Sequence, residues 1–297
     1  MMKIAVVGSG TMGNGIAHAF AQQGHRVALI DVSPENLTRA METIDKNLAR
    51  QVEKGTLSSE AKKIAFDNIT TSTSLSSGVS GAELTIEAAT ENEALKIDIF
   101  RELDVHASPS CILATNTSSI SITKIAAVTS RPDRVIGMHF MNPVPVMKLV
   151  EVIRGYATSD DVARNVMELA RNLGKEPVEV KDYPGFVANR ILMPMINEAI
   201  HTLYEGVAGV REIDDVMKLG MSHPMGPLQL ADFIGLDVCL SILKVLYEGF
   251  GNPKYAPCPL LVNMVVAGNK GVKSGSGFYT YTPGKKELVV SQSFQKQ

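Results

Sequence analysis

The stretch VVGSGTMGNGIAHAF, residues 6–20, passes from a short apolar run through a glycine-rich segment into a helical pattern. Its glycines form a GxGxxG pattern. The first glycine permits a tight turn, the second lets the backbone approach a pyrophosphate, and the third lets the helix pack closely on the strand. The helix N-terminus offers unpaired N–H groups to phosphate. The stretch therefore predicts the first unit of a dinucleotide-binding fold. The predicted loop residues are Gly8, Ser9, Gly10, Thr11, Met12 and Gly13.

An acidic residue, Asp31, ends the next β-rich run, eighteen positions after Gly13. A carboxylate in that place can hold the hydroxyl groups of the adenosine ribose. The residues that follow are Val-Ser-Pro, with no Arg to accept a 2′-phosphate, so NAD is favoured over NADP as the cofactor. A purely structural glycine turn is the competing interpretation, and the combination of strand, loop, helix and acid argues against it.

The first part of the chain alternates β-rich runs with helical patterns. The clearest helix begins after Ser33, with Ser33 as the N-cap and Pro34 at the first helical position. Alternation of this kind predicts right-handed βαβ units and a parallel sheet. The predicted strands are Ile4–Val7, Val27–Asp31, Asn68–Thr71, Leu84–Ala88, Cys111–Thr115 and Val135–Phe140.

The texture of the sequence changes after about residue 182. A Pro-Gly pair precedes long apolar helical runs over 186–205 and 228–249, and Pro194 inside the first run predicts a kink or a break. The predicted fold class is α/β, with a Rossmann-type, doubly wound, mainly parallel sheet followed by a second, all-helical domain. The predicted domains are an NAD-binding domain over 1–182 and a helical domain over 183–297.

The bulk composition describes a globular protein without a nucleic-acid surface. Of the 297 residues, 45% are hydrophobic and 20% are charged, the formal net charge is −2, and no block of Lys or Arg stands out. The cysteines Cys111, Cys239 and Cys258 form neither a disulfide framework nor a CxxC spacing, and the histidines show no metal-ligand spacing. The apolar run before the glycine loop is too short for a signal peptide or a membrane span. We therefore expect a cytoplasmic protein with no metal and no membrane or nucleic-acid partner.

A second stretch, MHFMNPVPVMKLVEVI at 138–153, places His139 and Glu151 in otherwise apolar strands. Burying ionisable groups is costly unless they are paired, and Pro143 and Pro145 predict a turn that brings the strands side by side. Histidine suits proton transfer because its ordinary pKa is about 6.5. A carboxylate on the far ring nitrogen would fix the tautomer and stabilise the imidazolium. The pair therefore suits alcohol oxidation, although a lone His on an apolar strand is more often a core residue.

Ser118 follows the apolar run CILATN, and His139 lies near the end of a predicted strand. Ligands of open α/β sheets bind beyond the carboxyl ends of the strands, so both side chains are expected at one crevice. There Ser118 could hydrogen-bond a substrate hydroxyl and hold it toward His139. A helix N-cap is the competing interpretation of this serine.

These motifs together make the chain resemble the 3-hydroxyacyl-CoA dehydrogenase family, from about residue 2 to about residue 282. Within the family it is most similar to stand-alone bacterial 3-hydroxybutyryl-CoA dehydrogenases. One departure is Phe140-Met141, where the family often has two Phe, and the change keeps an apolar filler. Besides the glycine loop, the resemblance rests on NTSS (116–119), HFMNPVPVMKLVEVI (139–153), PGFVANR (184–190), MGPLQLADFIGLD (225–237) and KSGSGFY (273–279).

The resemblance implies NAD-dependent interconversion of a short-chain (S)-3-hydroxyacyl-CoA and a 3-oxoacyl-CoA, as in fatty acid metabolism. It implies a base at His139 oriented by Glu151. It places Ser118 and Asn189 beside the substrate, and both are included among the catalytic residues. It also implies a homodimer formed through the C-terminal helical domain, which would bind the substrate.

The resemblance further implies contacts with the cofactor and with the CoA portion of an acyl-CoA thioester. Many relatives have Ser where Asn47 stands, a change that preserves hydrogen-bonding capacity. The implied cofactor residues are Glu91, Lys96, Asn142 and Lys273, and the implied CoA contacts are Asn47 and Lys54.

Two other functions remain as alternatives. A 3-hydroxyacid dehydrogenase acting on a free acid would use a catalytic Lys on the helix entering the second domain, and residues 185–206 contain no Lys. A non-catalytic NAD-binding or structural protein, such as the lens crystallins related to the family, would not need His139, Glu151, Ser118 and Asn189 together. The acyl chain length and the pathway stay open.

Overall fold

The computed structural model describes residues 1–282, 284 and 287–295, and the chain divides into two compact units. The first unit is Met1–Tyr183, and the second begins at Pro184. Each unit contains its own cluster of buried apolar side chains. We describe the two units separately.

The first unit is built on an eight-stranded sheet. Its strands are β1 (Lys3–Val7), β2 (Arg26–Ile30), β3 (Ile69–Ser72), β4 (Leu84–Glu87), β5 (Ile112–Thr115), β6 (Val135–Phe140), β7 (Leu149–Arg154) and β8 (Glu176–Lys181). The strand order is β3-β2-β1-β4-β5-β6-β7-β8, so the chain starts in the middle, winds to one edge and then to the other. All neighbouring strands are parallel except β6 and β7, which are antiparallel. The predicted doubly wound, mainly parallel sheet is confirmed.

The six predicted strands all form, with ends that differ from the prediction by at most one residue. The structure adds β8, which the sequence analysis missed. In β8 only Val180 is buried, and the other five residues are exposed or partly exposed. An edge strand of this kind lacks the apolar run that marks a buried strand, and Pro177 is tolerated there because an edge strand has unpaired N–H positions.

Helices of the first unit fall into two groups that pack among themselves: α1 with α2 and α3, and α4 and α6 with α5. Ser33 caps the second helix as predicted, since its hydroxyl accepts the N–H of Asn36 at 3.1 Å. The helices are α1 (Thr11–Gln22), α2 (Pro34–Glu53), α3 (Ser59–Asp67), α4 (Leu75–Val79), α5 (Glu93–His106), α6 (Ile122–Ala126) and α7 (Asp160–Asn172).

The second unit is mainly helical, with one short ribbon that the sequence did not indicate. Its helices are α8 (Ala188–Tyr204), α9 (Val210–Gly220), α10 (Pro227–Ile234), α11 (Leu236–Phe250) and α12 (Pro259–Val266), and its strands are β9 (Tyr279–Thr280) and β10 (Val289–Val290). The first helix runs on through Pro194, so the expected break is absent there. Within the described residues, no helix has the length and hydropathy needed to cross a bilayer.

Asp214 is a buried carboxylate that joins α9 to its neighbours in the second unit. It accepts the N–H groups of Leu228 and Gln229 at the start of α10, at 2.8 and 3.0 Å, and the hydroxyl of Tyr279 at 2.8 Å. A Cβ built on Gly226 would fall 2.2 Å from its carboxyl carbon, so this close approach needs glycine. Burial raises the pKa of Asp214 despite these donors.

Asp232, on α10, is a second buried carboxylate of this kind. It accepts the N–H groups of Phe278 and Tyr279 at 3.1 and 2.9 Å and the hydroxyl of Tyr281 at 3.1 Å. A Cβ on Gly277 would lie 1.9 Å from one of its oxygens. Burial raises the pKa of Asp232 to about 6. The stretches 225–237 and 273–279 therefore hold the second unit together.

Candidate active site

A cavity of about 570 Å³ lies at the carboxyl ends of β1, β2 and β4. Its wall includes Gly8, Gly10 and Met12 of the glycine loop, Asp31 after β2, and Ala89 after β4. The strand order reverses between β1 and β4, because the chain returns there to build the other half of the sheet. Crevices at such a reversal are the usual ligand sites of open α/β sheets.

The three loop glycines are needed for different reasons. Gly8 has a φ of +98°, and a Cβ on it would lie 2.7 Å from the carbonyl oxygen of Ala88. A Cβ on Gly13 would fall 1.8 Å from the carbonyl oxygen of Gly8. A Cβ on Gly10, by contrast, would meet no protein atom within 4 Å. The protein itself needs the first and third glycines, whereas the second leaves an open backbone surface that fits the close approach of a pyrophosphate.

Asp31 is half-buried and is fixed by four hydrogen bonds. One oxygen accepts the N–H and hydroxyl of Ser9 at 2.9 and 2.7 Å. The other accepts the N–H of Ser33 at 3.1 Å and the amide of Asn36 at 3.2 Å. Burial alone would raise the pKa of Asp31, but these donors outweigh it and lower the pKa. The carboxylate is therefore a fixed anion at the cavity wall. Asn36 was missed by the sequence analysis.

His139 and Glu151 stand directly opposite each other on the antiparallel strands β6 and β7. His139 Nδ1 lies 2.8 Å from Glu151 Oε2, within hydrogen-bond distance. The exposed fractions are 8% for His139 and 2% for Glu151. The predicted hairpin and the predicted contact are therefore both present. Direct pairing across the ladder places the two side chains side by side, with Nδ1 of the imidazole facing the carboxylate.

Glu91 accepts hydrogen bonds from the residues that follow β5. Its Oε1 accepts the hydroxyls of Thr117, Ser118 and Ser119 at 2.5, 3.2 and 3.1 Å, and the N–H of Ser118 at 3.0 Å. Burial would raise the pKa of Glu91, but the ammonium of Lys96 and these hydrogen bonds together lower it. An ionised Glu91 thus holds the loop that carries Ser118, which is half-buried.

Lys96 is 1% exposed and is held by Glu87, Glu91 and one carbonyl group. Its Nζ lies 2.7 Å from Glu87 Oε1, 3.4 Å from Glu91 Oε2 and 3.2 Å from the carbonyl oxygen of Ala89. Glu87 also accepts the hydroxyl of Thr115 at 2.7 Å. This cluster fastens the ends of β4 and β5 to each other. Glu87 and Thr115 were missed, although an acid inside the apolar run LTIEAAT was a signal for a buried ion pair.

The other predicted residues of the first unit lie on α2 and in the hairpin turn. Asn47 is half-buried within α2, and Lys54 is the exposed residue that follows its last turn. They are seven positions apart, so they lie two helical turns apart on one side of the helix. Asn142 is exposed in the turn between β6 and β7.

Two predicted residues belong to the second unit. Asn189 lies in the first turn of α8 and is 8% exposed. Lys273 is half-exposed, and its ammonium is paired with Asp237. The pairing lowers the pKa of Asp237 against the opposing effect of burial, which is the larger single influence. The roles of Asn189 and Lys273 stay predictions.

Comparison with known proteins identifies the family. Residues 3–183 match the model of the 3-hydroxyacyl-CoA dehydrogenase NAD binding domain, and residues 185–281 match that of the C-terminal domain. The chain is 57% identical over 279 residues to a probable 3-hydroxybutyryl-CoA dehydrogenase of Bacillus subtilis, covering 94% of this chain and 97% of that protein. It is 54% identical over 283 residues to the 3-hydroxybutyryl-CoA dehydrogenase of Bradyrhizobium diazoefficiens, covering 95% and 96%.

A solved structure gives the same result. The (S)-3-hydroxybutyryl-CoA dehydrogenase of Ralstonia eutropha superposes with a TM-score of 0.92 at 50% sequence identity, covering 95% of this chain and 99% of that one. The matched region 3–183 includes β6 and β7, which carry His139 and Glu151, and the glycine loop, which lines the cofactor cavity. The chain therefore belongs to the 3-hydroxyacyl-CoA dehydrogenase family.

Proposed function

We propose that the protein is an NAD-dependent dehydrogenase that interconverts (S)-3-hydroxybutyryl-CoA, a short-chain (S)-3-hydroxyacyl-CoA, and the corresponding 3-oxoacyl-CoA. Relatives that are 50–57% identical carry the name 3-hydroxybutyryl-CoA dehydrogenase. The observation that carries the proposal is the His139–Glu151 pair at 2.8 Å, at the end of a strand in an NAD-binding fold. That pair supplies what a secondary alcohol needs in order to lose its proton.

The cofactor fits the cavity of the first unit. A bound NAD would supply the acceptor for the hydride of C3 of the hydroxyacyl group, and NADH the donor in the reverse direction. The open backbone at Gly10 accommodates the pyrophosphate, and Asp31 offers its carboxylate to the adenosine ribose. Further cofactor contacts are proposed from the family resemblance for Glu91, Lys96, Asn142 and Lys273.

His139 is the proposed general base. Glu151 accepts a hydrogen bond from Nδ1, so the imidazole carries its proton there and Nε2 takes the proton of the substrate hydroxyl. The imidazolium that forms is stabilised by the carboxylate 2.8 Å away. In the reverse direction, His139 gives this proton to the 3-oxygen as C3 is reduced. The pair works without water because both side chains are nearly fully buried.

Ser118 and Asn189 are the proposed substrate-positioning residues. The loop bearing Ser118 is held by Glu91, which supports a fixed position for its hydroxyl beside the substrate. For the CoA portion we propose Asn47 and Lys54. Their position on one side of α2 and the positive charge of the exposed Lys54 suit the phosphate groups of CoA.

The two domains are proposed to have different roles. Residues 1–182 are proposed to bind NAD, and residues 183–297 to bind substrate and to form a homodimer. Exposed apolar side chains on the second unit support the homodimer: Ile191, Val207 and Leu219 are 68%, 72% and 85% exposed. A cytoplasmic location is also proposed, because the three cysteines are free and buried, as suits a reducing compartment.

Initial rates with matched substrates test the proposal. Acetoacetyl-CoA should be reduced with NADH, while free acetoacetate should give no more than about a hundredth of that rate, since the free acid lacks the CoA contacts. The His139→Ala variant, which leaves the cofactor cavity intact, is the control. Equal rates with the free acid would indicate a free-acid dehydrogenase. Binding of NADH without turnover of either substrate would indicate a non-catalytic protein.

A further inference from the structure

The turn at residues 141–148, between β6 and β7, is held from one side by a buried lysine. Lys175 precedes β8 and is 8% exposed. Its Nζ donates to the carbonyl oxygens of Val144 and Met147 at 2.5 and 2.7 Å. Within the part of the chain that the structure describes, no carboxylate forms an ion pair with it. Its ammonium is therefore committed to the backbone of this turn.

The other side of the turn rests on the helix that follows the glycine loop. Val144 is 2% exposed, and a Cβ built on Gly15 of α1 would fall 2.9 Å from its Cβ. Gly15 lies about one helical turn after Thr11, which begins α1 and lines the cofactor cavity, so a shift of the turn would displace α1 close to that cavity. The turn is thus clamped between Lys175 and α1.

Burying a lysine side chain at this position is energetically unfavourable. Burial lowers the pKa of Lys175, which shows that the charged form is disfavoured there. An apolar residue would avoid that cost but would leave the two carbonyl groups of the turn without donors. The turn also contains or adjoins three of the proposed site residues. Asn142 lies within it, His139 lies three residues before Asn142, and Glu151 lies four residues after Met147.

We propose that Lys175 is a positioning residue for the dehydrogenase reaction and acts through the turn 141–148. By holding the two carbonyl groups, it fixes the turn against α1 and sets the place of Asn142 relative to the cofactor. The same anchoring keeps the ends of β6 and β7 in the register that pairs His139 with Glu151. The inference rests on the proposed function, because it assigns Lys175 a part in that reaction.

The Lys175→Met variant, which keeps the length and removes the donors, tests the inference. We expect kcat with acetoacetyl-CoA to fall at least about tenfold and the Kd for NADH to rise at least about fivefold, because displacement of a site by about 1 Å can be this costly. Lys148→Met is the matched control, since Lys148 lies in the same turn with only an exposed ion pair to Glu176. Its constants should stay within about twofold of the wild type. Lys175→Arg should recover part of the loss.

Gly15→Ala perturbs the same turn from the opposite side without touching Lys175. Alanine is a better helix former than glycine, so folding should be retained. The added Cβ should press on Val144 and raise the Kd for NADH at least about threefold. If Lys175→Met does not fold, Gly15→Ala tests the inference in its place. An unchanged Kd for NADH would then overturn the inference.

Two other results would also overturn it. One is a folded Lys175→Met protein whose kcat and NADH Kd stay within twofold of the wild type. The other is a lower Tm with unchanged kinetic constants, which would mark Lys175 as a purely structural residue. If the wild-type protein binds NADH but turns over no acyl-CoA, the proposed function fails, while the Kd comparison still tests the role of Lys175 at the cofactor site.

Discussion

Two pairs of buried or partly buried carboxylates, one pair in each unit, have pKa values that are shifted in opposite directions. Asp31 and Glu91 in the first unit have lowered pKa values, whereas Asp214 and Asp232 in the second have raised ones. Burial raises the pKa in all four. For Asp31, hydrogen bonds from Ser9, Ser33 and Asn36 outweigh burial. For Glu91, whose side chain is 39% exposed, the ammonium of Lys96 at 3.4 Å and the hydrogen bonds from the residues after β5 outweigh it. The second pair is 1% exposed and has only neutral donors. Neutral hydrogen bonds alone do not keep a fully buried carboxylate acidic.

The two sets of carboxylates differ in role: those of the first unit lie at the proposed site, and those of the second unit join secondary-structure elements. In the first unit, Asp31 follows β2 and lines the cavity, and Glu151, near the start of β7, contacts the proposed base. In the second unit, Asp214 joins α9 to α10 and Asp232 joins α10 to β9. Changes to the first set should therefore alter rates with little effect on folding, and changes to the second should alter folding.

Replacing the proposed base should have the largest effect. His139→Ala should lower kcat by at least about a hundredfold, because the variant lacks the proposed general base. The circular dichroism spectrum should stay close to that of the wild type, with a lower Tm because the buried Glu151 loses a partner. Steady-state rates with NADH and acetoacetyl-CoA measure the change. Near-normal turnover by the folded variant would show that His139 is not the base. It would also contradict the distinction between site groups in the first unit and structural groups in the second.

Asp232 should make stability depend on pH in the direction opposite to a paired surface acid. Its pKa is about 6 in the folded protein and about 3.9 when unfolded, so the folded state binds the proton more tightly. The stability from this group is fully present below about pH 4 and is lost as the pH rises through 6, a change on the order of 3 kcal/mol. Asp232→Asn should remove that loss. Urea unfolding of both proteins from pH 4 to 7 measures it, and identical pH dependence would contradict the assignment.

Glu151→Gln should have a smaller effect on rate than loss of the base. The amide keeps the volume and can still accept from Nδ1, but it no longer stabilises the imidazolium, so kcat should fall roughly ten- to a hundredfold. The pH profile of kcat should change as well, while the fold is kept. Rates from pH 5 to 9 with saturating substrates provide the measurement. An unchanged profile would show that the 2.8 Å contact is structural, like those in the second unit.

Asp31→Asn should have the smallest effect. Loss of the charge weakens the hold on the adenosine ribose, so the KM for NAD should rise roughly tenfold and the preference over NADP should narrow. Asp67→Asn is the control, because Asp67 forms only an exposed ion pair with Lys63. Values of kcat/KM with both cofactors measure the preference. Equal values for NAD and NADP in the wild type would contradict the ribose assignment.

The sequence predicted the features that local patterns encode. The glycine loop, the six first strands and the Ser33 cap each depend on residues that are neighbours in the chain. The His139–Glu151 contact was also predictable, because two prolines between the strands indicate a tight return and an antiparallel pair places residues directly opposite.

Features that depend on distant segments were not predictable. Asp214 and Tyr279 are 65 positions apart, and no local pattern announces their hydrogen bond. Only the family resemblance singled out Lys96, since its partner Glu87 lies on the preceding strand and no local pattern indicates the pair. The edge strand β8 escaped because its exposed residues carry no alternation strong enough to distinguish it from a loop.

The antiparallel junction between β6 and β7 has a consequence for the order of folding. His139 and Glu151 are twelve positions apart and meet in a hairpin, whereas β1 and β6, which supply the glycine loop and the base, are separated by more than a hundred positions in the chain. Closing a short loop costs less chain entropy than closing a long one. We therefore expect the acid–base pair to form before the cavity that it is proposed to serve.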